Sequence, residues 1–407
     1  MQRKQIWWRL PMNVVDKLED RKEALSPAPT LGSLSQSQID AIREIPAHDE
    51  AEIRAIEASR PSSIFVDKER YDQEIENVFR RRPVPVTLTA MMPEPASVMA
   101  HDGYGLPILL MRDKNGQMRA FLNACQHKGA KLVEGGCDPQ KTGKVVCPYH
   151  AWAFGLDGSL IGVPREETYE NLDKAKRNLV SLPCMEAGGI VWVILDKDAE
   201  PDFSGVHPQI VEDLRSMAFD QLHLYGHKTF DLKANWKLVL EPFLEGYHVQ
   251  RLHANSIGNM FADVPNVTDV FGDHIRQISG KINFKPEDLD KPGENIHKTV
   301  THAYEIFPNG VLVTSPYYIS FMIIMPRAAG ESVVEYFFLV RGEATTEKVR
   351  ELYAKSYDLI LKVFGTEDFV AAELCQEGLE SGALNEVVYC GLEETIPVYY
   401  KNLERYL

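Results

Sequence analysis

Asn123-Ala124-Cys125-Gln126-His127-Lys128-Gly129-Ala130 is followed downstream by Cys147-Pro148-Tyr149-His150-Ala151-Trp152. The pattern is C-x-H and then C-x2-H. Thiolate and imidazole are soft-to-borderline ligands that suit zinc, copper and iron–sulfur centres. Two mixed pairs on tight loops can hold one tetrahedral metal, or the two irons of a [2Fe–2S] cluster. In the second arrangement each loop gives its cysteine to one iron and its histidine to the other. Structural zinc sites usually pair like with like, as C-x2-4-C and H-x3-5-H. The mixed pairs fit that pattern poorly. No residue stands at ligand spacing from Cys137, and Cys137, Cys184, Cys375 and Cys390 read as ordinary buried cysteines.

Around these loops the chain alternates short β-rich runs with Gly, Pro and Asp clusters. The runs are Leu106 to Arg112, Met118 to Asn123, Lys144 to Cys147 and Gly189 to Leu195. They predict a small all-β domain over residues 84–200, with a linker from Pro201 to Pro208. Upstream, residues 1–83 read as a helical arm that packs in part on the catalytic region. Within it, Ile39 to Glu44 and Asp49 to Arg60 are expected as exposed helices. Tyr71, Ile75, Val78 and Phe79 recur at helical spacing before Pro83. Downstream, residues 201–407 are expected to form one further domain. It holds a helix around Asn235 to Gln250 and an irregular stretch to about Glu305. Strands follow at Gly310 to Ser315, Tyr317 to Met325 and Ser332 to Val340, then a helix from Thr346 to Phe364 and another from near Glu367. Strands followed by helices favour an α+β class.

A second set of ligand types lies in this last region, in Glu241-Pro242-Phe243-Leu244-Glu245-Gly246-Tyr247-His248 and at His253. Glu245 and His248 would share a helical face. His248 and His253 would diverge by about 140° on a regular helix, so one metal can use both only if the helix ends or distorts between them. Two histidines and a carboxylate leave open positions for O2 on Fe(II). Spacing alone leaves open whether Glu245 or a distant acid is the carboxylate.

The first constellation resembles the Rieske domain of the Rieske non-haem iron oxygenases, specifically the alpha subunit of the aromatic-ring-hydroxylating family. Arg112-Asp113, Gly116, Ala120-Phe121-Leu122-Asn123, Trp152, Gly155, Asp157-Gly158 and Pro164 carry the likeness further. Lys128 stands where arginine is usual and Ala151 where glycine is usual. The resemblance implies a [2Fe–2S] cluster on Cys125, His127, Cys147 and His150. It also implies a helix-grip-like antiparallel-sheet domain with mononuclear iron on His248, His253 and Asp368. Thr366-Glu367-Asp368 with Glu373, Gln376, Gly378 and Leu379 matches the family's C-terminal ligand helix. Glu245 matches the acid that bridges the two centres across a subunit boundary, which implies a homotrimer or a trimer-based assembly. Pro242 departs from the asparagine many members carry.

The expected function is a terminal oxygenase that hydroxylates, dihydroxylates or dealkylates a small aromatic substrate with O2. The alternatives are a non-enzymatic Rieske redox or ligand-binding protein, and a zinc hydrolase, for which H-E-x-x-H is absent. No G-x-G-x-x-G after a strand and no G-x-x-x-x-G-K-[ST] is found, so electrons are expected from a separate NAD(P)H-dependent reductase, with or without a ferredoxin. Forty-four basic residues against 59 acidic ones give a formal charge of −15. That balance argues against nucleic acid and against anionic membranes. No apolar run nears the roughly 20 residues of a spanning helix. No secretory leader is evident at Met1 to Pro11, so a cytoplasmic setting is expected. Phe261, Val264, Tyr318, Met322 and Ile324 are candidate pocket or core residues. No aromatic cage is evident.

Overall fold

The computed structural model describes residues 28–407 except 137, 290 and 292. The start of the expected arm and Cys137 lie outside the described residues. A five-stranded sheet runs in the order Ser181–Leu182, Met118–Leu122, Ile108–Arg112, Ser97–His101, Gln140–Lys141. Two three-stranded sheets flank it. One joins Lys144–Val146, Ala153–Gly155 and Leu160–Gly162. The other joins Cys184–Ala187, Ile190–Val193 and Val84–Leu88. Successive residues of a strand point to opposite faces, and here both faces are buried. Val98, Leu109 and Met111 enter a small core with Cys125, Cys147, Trp152 and Phe154. Met99, Ile108 and Leu110 enter the main core. The cysteine loops therefore rest on a core of their own.

Seven antiparallel strands form the large sheet, in the order His223–Leu232, Glu331–Val340, Tyr318–Ala328, Gly310–Thr314, Val300–Ile306, His274–Gly280, Val267–Phe271. Three of these lie where an irregular stretch was expected. The strand His274–Gly280 carries His274, Arg276 and Gln277, all buried. Their burial is sustained by distant partners: Arg276 Nη1 donates to Asp213 Oδ2 at 2.7 Å, and Gln277 Nε2 to the Phe243 carbonyl at 3.0 Å. Apolar alternation is thus absent from a strand that is nonetheless interior.

The register pairs Met322 with Tyr336 and Ser320 with Phe338. Tyr318, Ser320, Met322 and Ile324 therefore share one face with Tyr336 and Phe338. On that face Tyr336 meets Phe364 at 5.6 Å and Phe338 meets Tyr357 at 5.3 Å. The opposite face packs on the N-terminal part of the chain. There Phe321 meets Phe219 at 5.8 Å, and His101 Nε2 lies 3.2 Å from Glu335. The α+β class holds.

Three helical expectations are corrected. The first exposed helix is Gln36–Arg43, capped by Ser35, and it is packed: Gln38, Ala41 and Ile42 are buried, and Gln38 donates to the Tyr304 hydroxyl at 2.9 Å. Residues 49–60 form no helix. Ala58–Pro61 pairs antiparallel with Glu386–Tyr389, and the Arg54 carbonyl comes so close to Gly391 that a Cβ there would lie 1.6 Å from it. Tertiary contact overrides helix propensity here. The helix expected over 235–250 breaks into Trp236–Leu240, a 3-10 turn Glu241–Leu244 and one turn Val249–Leu252. The cysteine reading also changes, because Cys375 is exposed and Cys184 and Cys390 are half-buried.

Near the C-terminus Glu347–Val363 continues through a π turn, Phe364–Asp368, into Phe369–Glu380. A π turn inside a helix often marks a functional position. Among the described residues no helix is long and apolar enough to cross a membrane.

Candidate metal centres

Asn123 ends its strand and staples the first cysteine loop. Its Oδ1 accepts from the Leu132 and Val133 amides at 3.0 and 3.2 Å, and its Nδ2 donates to the Val133 carbonyl at 2.7 Å. Within the loop the Gly129 amide donates to the Cys125 carbonyl at 2.8 Å, with Gly129 at φ +75°. The second loop repeats this turn: the Ala151 amide donates to the Cys147 carbonyl at 3.0 Å. Ala151 sits at φ +56°, in the left-handed region that glycine adopts more cheaply. The departure seen in the sequence thus falls on a position whose backbone favours glycine.

The two turns bring their ligands together. His127 Nδ1 and His150 Nδ1 lie 3.1 Å apart, and Cys125 and Cys147 are both buried. Burial raises the Cys125 thiol pKa, and its neighbour Cys147 raises it further. Two thiols and two facing imidazole nitrogens form a soft donor set that fits a shared cationic group. Trp152 stacks on His127 with centroids 4.8 Å apart and planes 8° apart, and the Tyr169 hydroxyl lies 3.5 Å from His127 Nε2. Neither aromatic was singled out from sequence as a neighbour of that ring.

The second constellation starts from the helix Trp236–Leu240. Asn235 caps it by accepting from the Lys237 amide at 3.0 Å. Buried Lys237 Nζ donates to Glu74 at 2.7 Å, and the Asn235 amide to Gln376 at 2.9 Å. These bonds anchor the helix to the arm and to the C-terminal helix. Glu245 then turns extended, with φ −151° and ψ 168°, and stops the helix. It shares no helical face with His248. Instead its Oε2 accepts from the His248 amide at 3.0 Å, and its Oε1 accepts from His248 Nδ1. His248 and His253 bracket the single turn Val249–Leu252, the break that joint use of both rings requires.

Asp368 closes the group from the π turn, in mid-helix rather than at a helix N-terminus. Its Oδ1 lies 3.5 Å from His248 Nε2 and 3.3 Å from His253 Nε2. The ligand atoms of His248, His253 and Asp368 all fall within 4.8 Å of one another. Both Asp368 oxygens are buried without a hydrogen-bond partner. A buried carboxylate left this way is costly unless a cation joins it. Burial disfavours protonation of His253, yet the carboxylates of Asp368 and Glu367 outweigh it and raise that pKa. The site attracts positive charge, so the residues fit a metal.

Glu367, the neighbour of Asp368 in the sequence, faces the far side of His253. Its Oε2 accepts from His253 Nδ1 at 2.6 Å and from Ser256 Oγ at 2.7 Å. Only adjacency to Asp368 and the short step from His253 to Ser256 pointed to them. Of the candidate pocket residues, Tyr318, Met322 and Ile324 share the helix-facing side of the sheet, while Phe261 and Val264 are half-buried on the loop after His253. Phe243 and Phe364, close in sequence to Glu245 and Asp368, meet at 5.6 Å.

Comparison with known proteins finds two domain families in this chain. Residues 83–183 match the Rieske [2Fe-2S] domain, and residues 219–407 match the ring hydroxylating alpha subunit (catalytic domain). The carnitine monooxygenase oxygenase subunit of Escherichia coli (strain K12) is 26% identical over 329 residues, covering 79% of this chain and 84% of the relative. The chloroplastic choline monooxygenase of Spinacia oleracea is 26% identical over 377 residues, covering 88% and 80%. A crystal structure of a quaternary ammonium Rieske monooxygenase superposes with a TM-score of 0.74 at 21% identity, covering 89% of this chain and 99% of that one. Naphthalene 1,2-dioxygenase from Rhodococcus sp. gives 0.69 at 19% identity, over 86% and 93%. With a Rieske domain and the catalytic domain of a ring-hydroxylating alpha subunit in one chain, the protein belongs to the Rieske oxygenase alpha subunits.

Proposed function

We propose that this chain oxidises a C–H bond of a small quaternary ammonium compound. In this reading Cys125 and Cys147 hold one iron of the [2Fe–2S] cluster and His127 and His150 the other. His248, His253 and Asp368 hold the mononuclear iron. The observation that carries the reading is the buried Asp368 carboxylate, unpaired by hydrogen bonds, between two imidazole Nε2 atoms. When bound, the iron supplies activation of O2. One oxygen atom enters the C–H bond. The other leaves as water, using two electrons from a separate NAD(P)H-dependent reductase and two protons. Where the hydroxylated carbon bears the nitrogen, the C–N bond then breaks to release an amine and an aldehyde.

The substrate class follows the relatives, whose names give carnitine and choline. They lend no support to the expected aromatic substrate. The same reading divides the chain into an arm before 84, a Rieske domain over 84–200 and a catalytic domain from 201. A homotrimer is part of the same reading. Exposed Tyr149 adjoins His150, and exposed Tyr247 and Leu252 flank His248, so each centre carries apolar surface that a head-to-tail ring would cover.

The test is O2 uptake with a surrogate reductase, across quaternary ammonium and aromatic panels matched in size. Uptake with stoichiometric oxidised product from the ammonium panel is expected. Turnover of arenes alone would overturn the substrate class, and no substrate-dependent uptake across either panel would favour a redox or binding protein.

A further inference from the structure

Two consecutive residues grip the two nitrogens of one ring. Asp368 Oδ1 lies 3.3 Å from His253 Nε2, and Glu367 Oε2 lies 2.6 Å from His253 Nδ1. In a regular helix neighbouring side chains diverge by about 100°, which disfavours their reaching one imidazole. Here the pair ends the π turn Phe364–Asp368, where the Phe369 amide bonds back to the Phe364 carbonyl. Ser256 Oγ donates to the same Glu367 oxygen at 2.7 Å, which fixes the carboxylate from the His253 loop. The carboxylate is therefore an acceptor, and the Nδ1 proton is its donor. That tautomer leaves the Nε2 lone pair facing Asp368 and His248.

We propose that Glu367, braced by Ser256, is the positioning residue that fixes the tautomer and orientation of His253 for iron. The proposal rests on the reading of His253 and Asp368 as iron ligands. It gives the centre two separate outer carboxylates, Glu245 on His248 and Glu367 on His253. Only Glu245 stands in the proposed path from a neighbouring cluster. Loss of Glu367 then weakens iron binding, a consequence that can be read without turnover.

The experiment is Fe(II) binding to the full-length protein carrying its Rieske cluster, by competition with a chelator. The EPR spectrum of the nitric oxide adduct of the bound Fe(II) is the second readout. Changes to the outer partners of metal-ligating histidines typically cost 10–100-fold in metal affinity. Glu367→Ala should weaken Fe(II) binding toward the upper end of that range, about 100-fold. Glu367→Gln keeps an acceptor oxygen and should lose about 10-fold. Ser256→Ala should lose less than Glu367→Gln. The nitrosyl spectrum should change in rhombicity in both Glu367 variants, with the cluster's visible spectrum unchanged. Should Glu367→Ala fail to fold, Glu367→Gln and Ser256→Ala, which preserve side-chain shape, decide. Wild-type affinity and an unaltered nitrosyl spectrum in the variants that fold would overturn the proposal. If Asp368→Ala also binds Fe(II) like the wild type, the ligand assignment falls; if Asp368→Ala alone loses iron, only the role of Glu367 falls.

Discussion

His127 Nδ1 faces His150 Nδ1 at 3.1 Å. Two such nitrogens can share a bond through one proton or through a metal-bearing group between them. The adjacent buried thiols make the second use the better fit. Purified protein should contain about two acid-labile sulfides and about three irons per chain, from one cluster and one mononuclear site. Stoichiometric zinc in protein prepared without air damage would sink this assignment.

The two centres should come apart by mutation. They sit on separate cores, the small one behind Cys125 and Cys147 and the large one behind the catalytic sheet. His150→Ala should bleach the cluster and leave the mononuclear site able to bind Fe(II). Asp368→Ala should abolish iron binding at that site and turnover while the Rieske spectrum persists. Metal analysis and visible absorption of both variants check this. Loss of both centres from each variant would contradict separate sites.

Much of this was legible in sequence, for a physical reason. The cluster residues occur in short loops, so ligand spacing is a local signal. His248 and His253 were legible in the same way, including the need for a helix break. Asp368 has no local signal, since nothing near it in the chain marks it as a ligand; only resemblance pointed to it. The π turn that aims it leaves no periodicity mark. The strands from Val267 to Ile306 were missed because His274, Arg276 and Gln277 are buried through distant partners. The helix expected at residues 49–60 failed because pairing with Glu386–Tyr389 is a long-range contact.

Ala151 offers a stability test. At φ +56° an L-residue bears a steric cost of roughly 1–2 kcal/mol, which glycine avoids while losing more chain entropy. Ala151→Gly should therefore stabilise the Rieske loops by about 1 kcal/mol. A urea titration followed by visible circular dichroism of the cluster should show a higher midpoint. An unchanged or lower midpoint would mean that the turn is relaxed as alanine.

Glu241 should make stability depend on pH. It is half-buried, and its Oε1 accepts from the hydroxyls of Tyr400 at 2.7 Å and Tyr389 at 3.0 Å. Burial raises its pKa from 4.5 to about 7, although both phenols pull it back. Because the folded value exceeds the unfolded one, the stabilising contribution is complete below about pH 4.5 and is lost as pH rises through about 7. At about 1.4 kcal/mol per pKa unit the loss is on the order of 3 kcal/mol. Glu241→Gln should flatten this dependence between pH 5 and 8. Denaturant titrations across that range check it, and an equal slope in variant and wild type would exclude Glu241 as the source.

In the proposed trimer Glu245 would tie the two redox centres into one assembly. Its carboxylate binds both the amide and the Nδ1 of His248, so it holds that ring and offers a polar path outward. In a head-to-tail trimer His150 of one protomer would meet Glu245 of the next. Glu245→Gln should then keep the cluster spectrum and the mononuclear iron yet lose most turnover. His150→Ala should lose turnover through the other partner of the same junction. A ring containing both variant chains has one junction where intact His150 meets intact Glu245. With random mixing about three-quarters of rings are mixed, and each has one working junction in three, which gives about a quarter of wild-type activity. Subunit exchange followed by steady-state O2 uptake measures this directly. A mixture no more active than its parents, or wild-type rates in Glu245→Gln alone, would rule out electron passage through this residue across the subunit boundary.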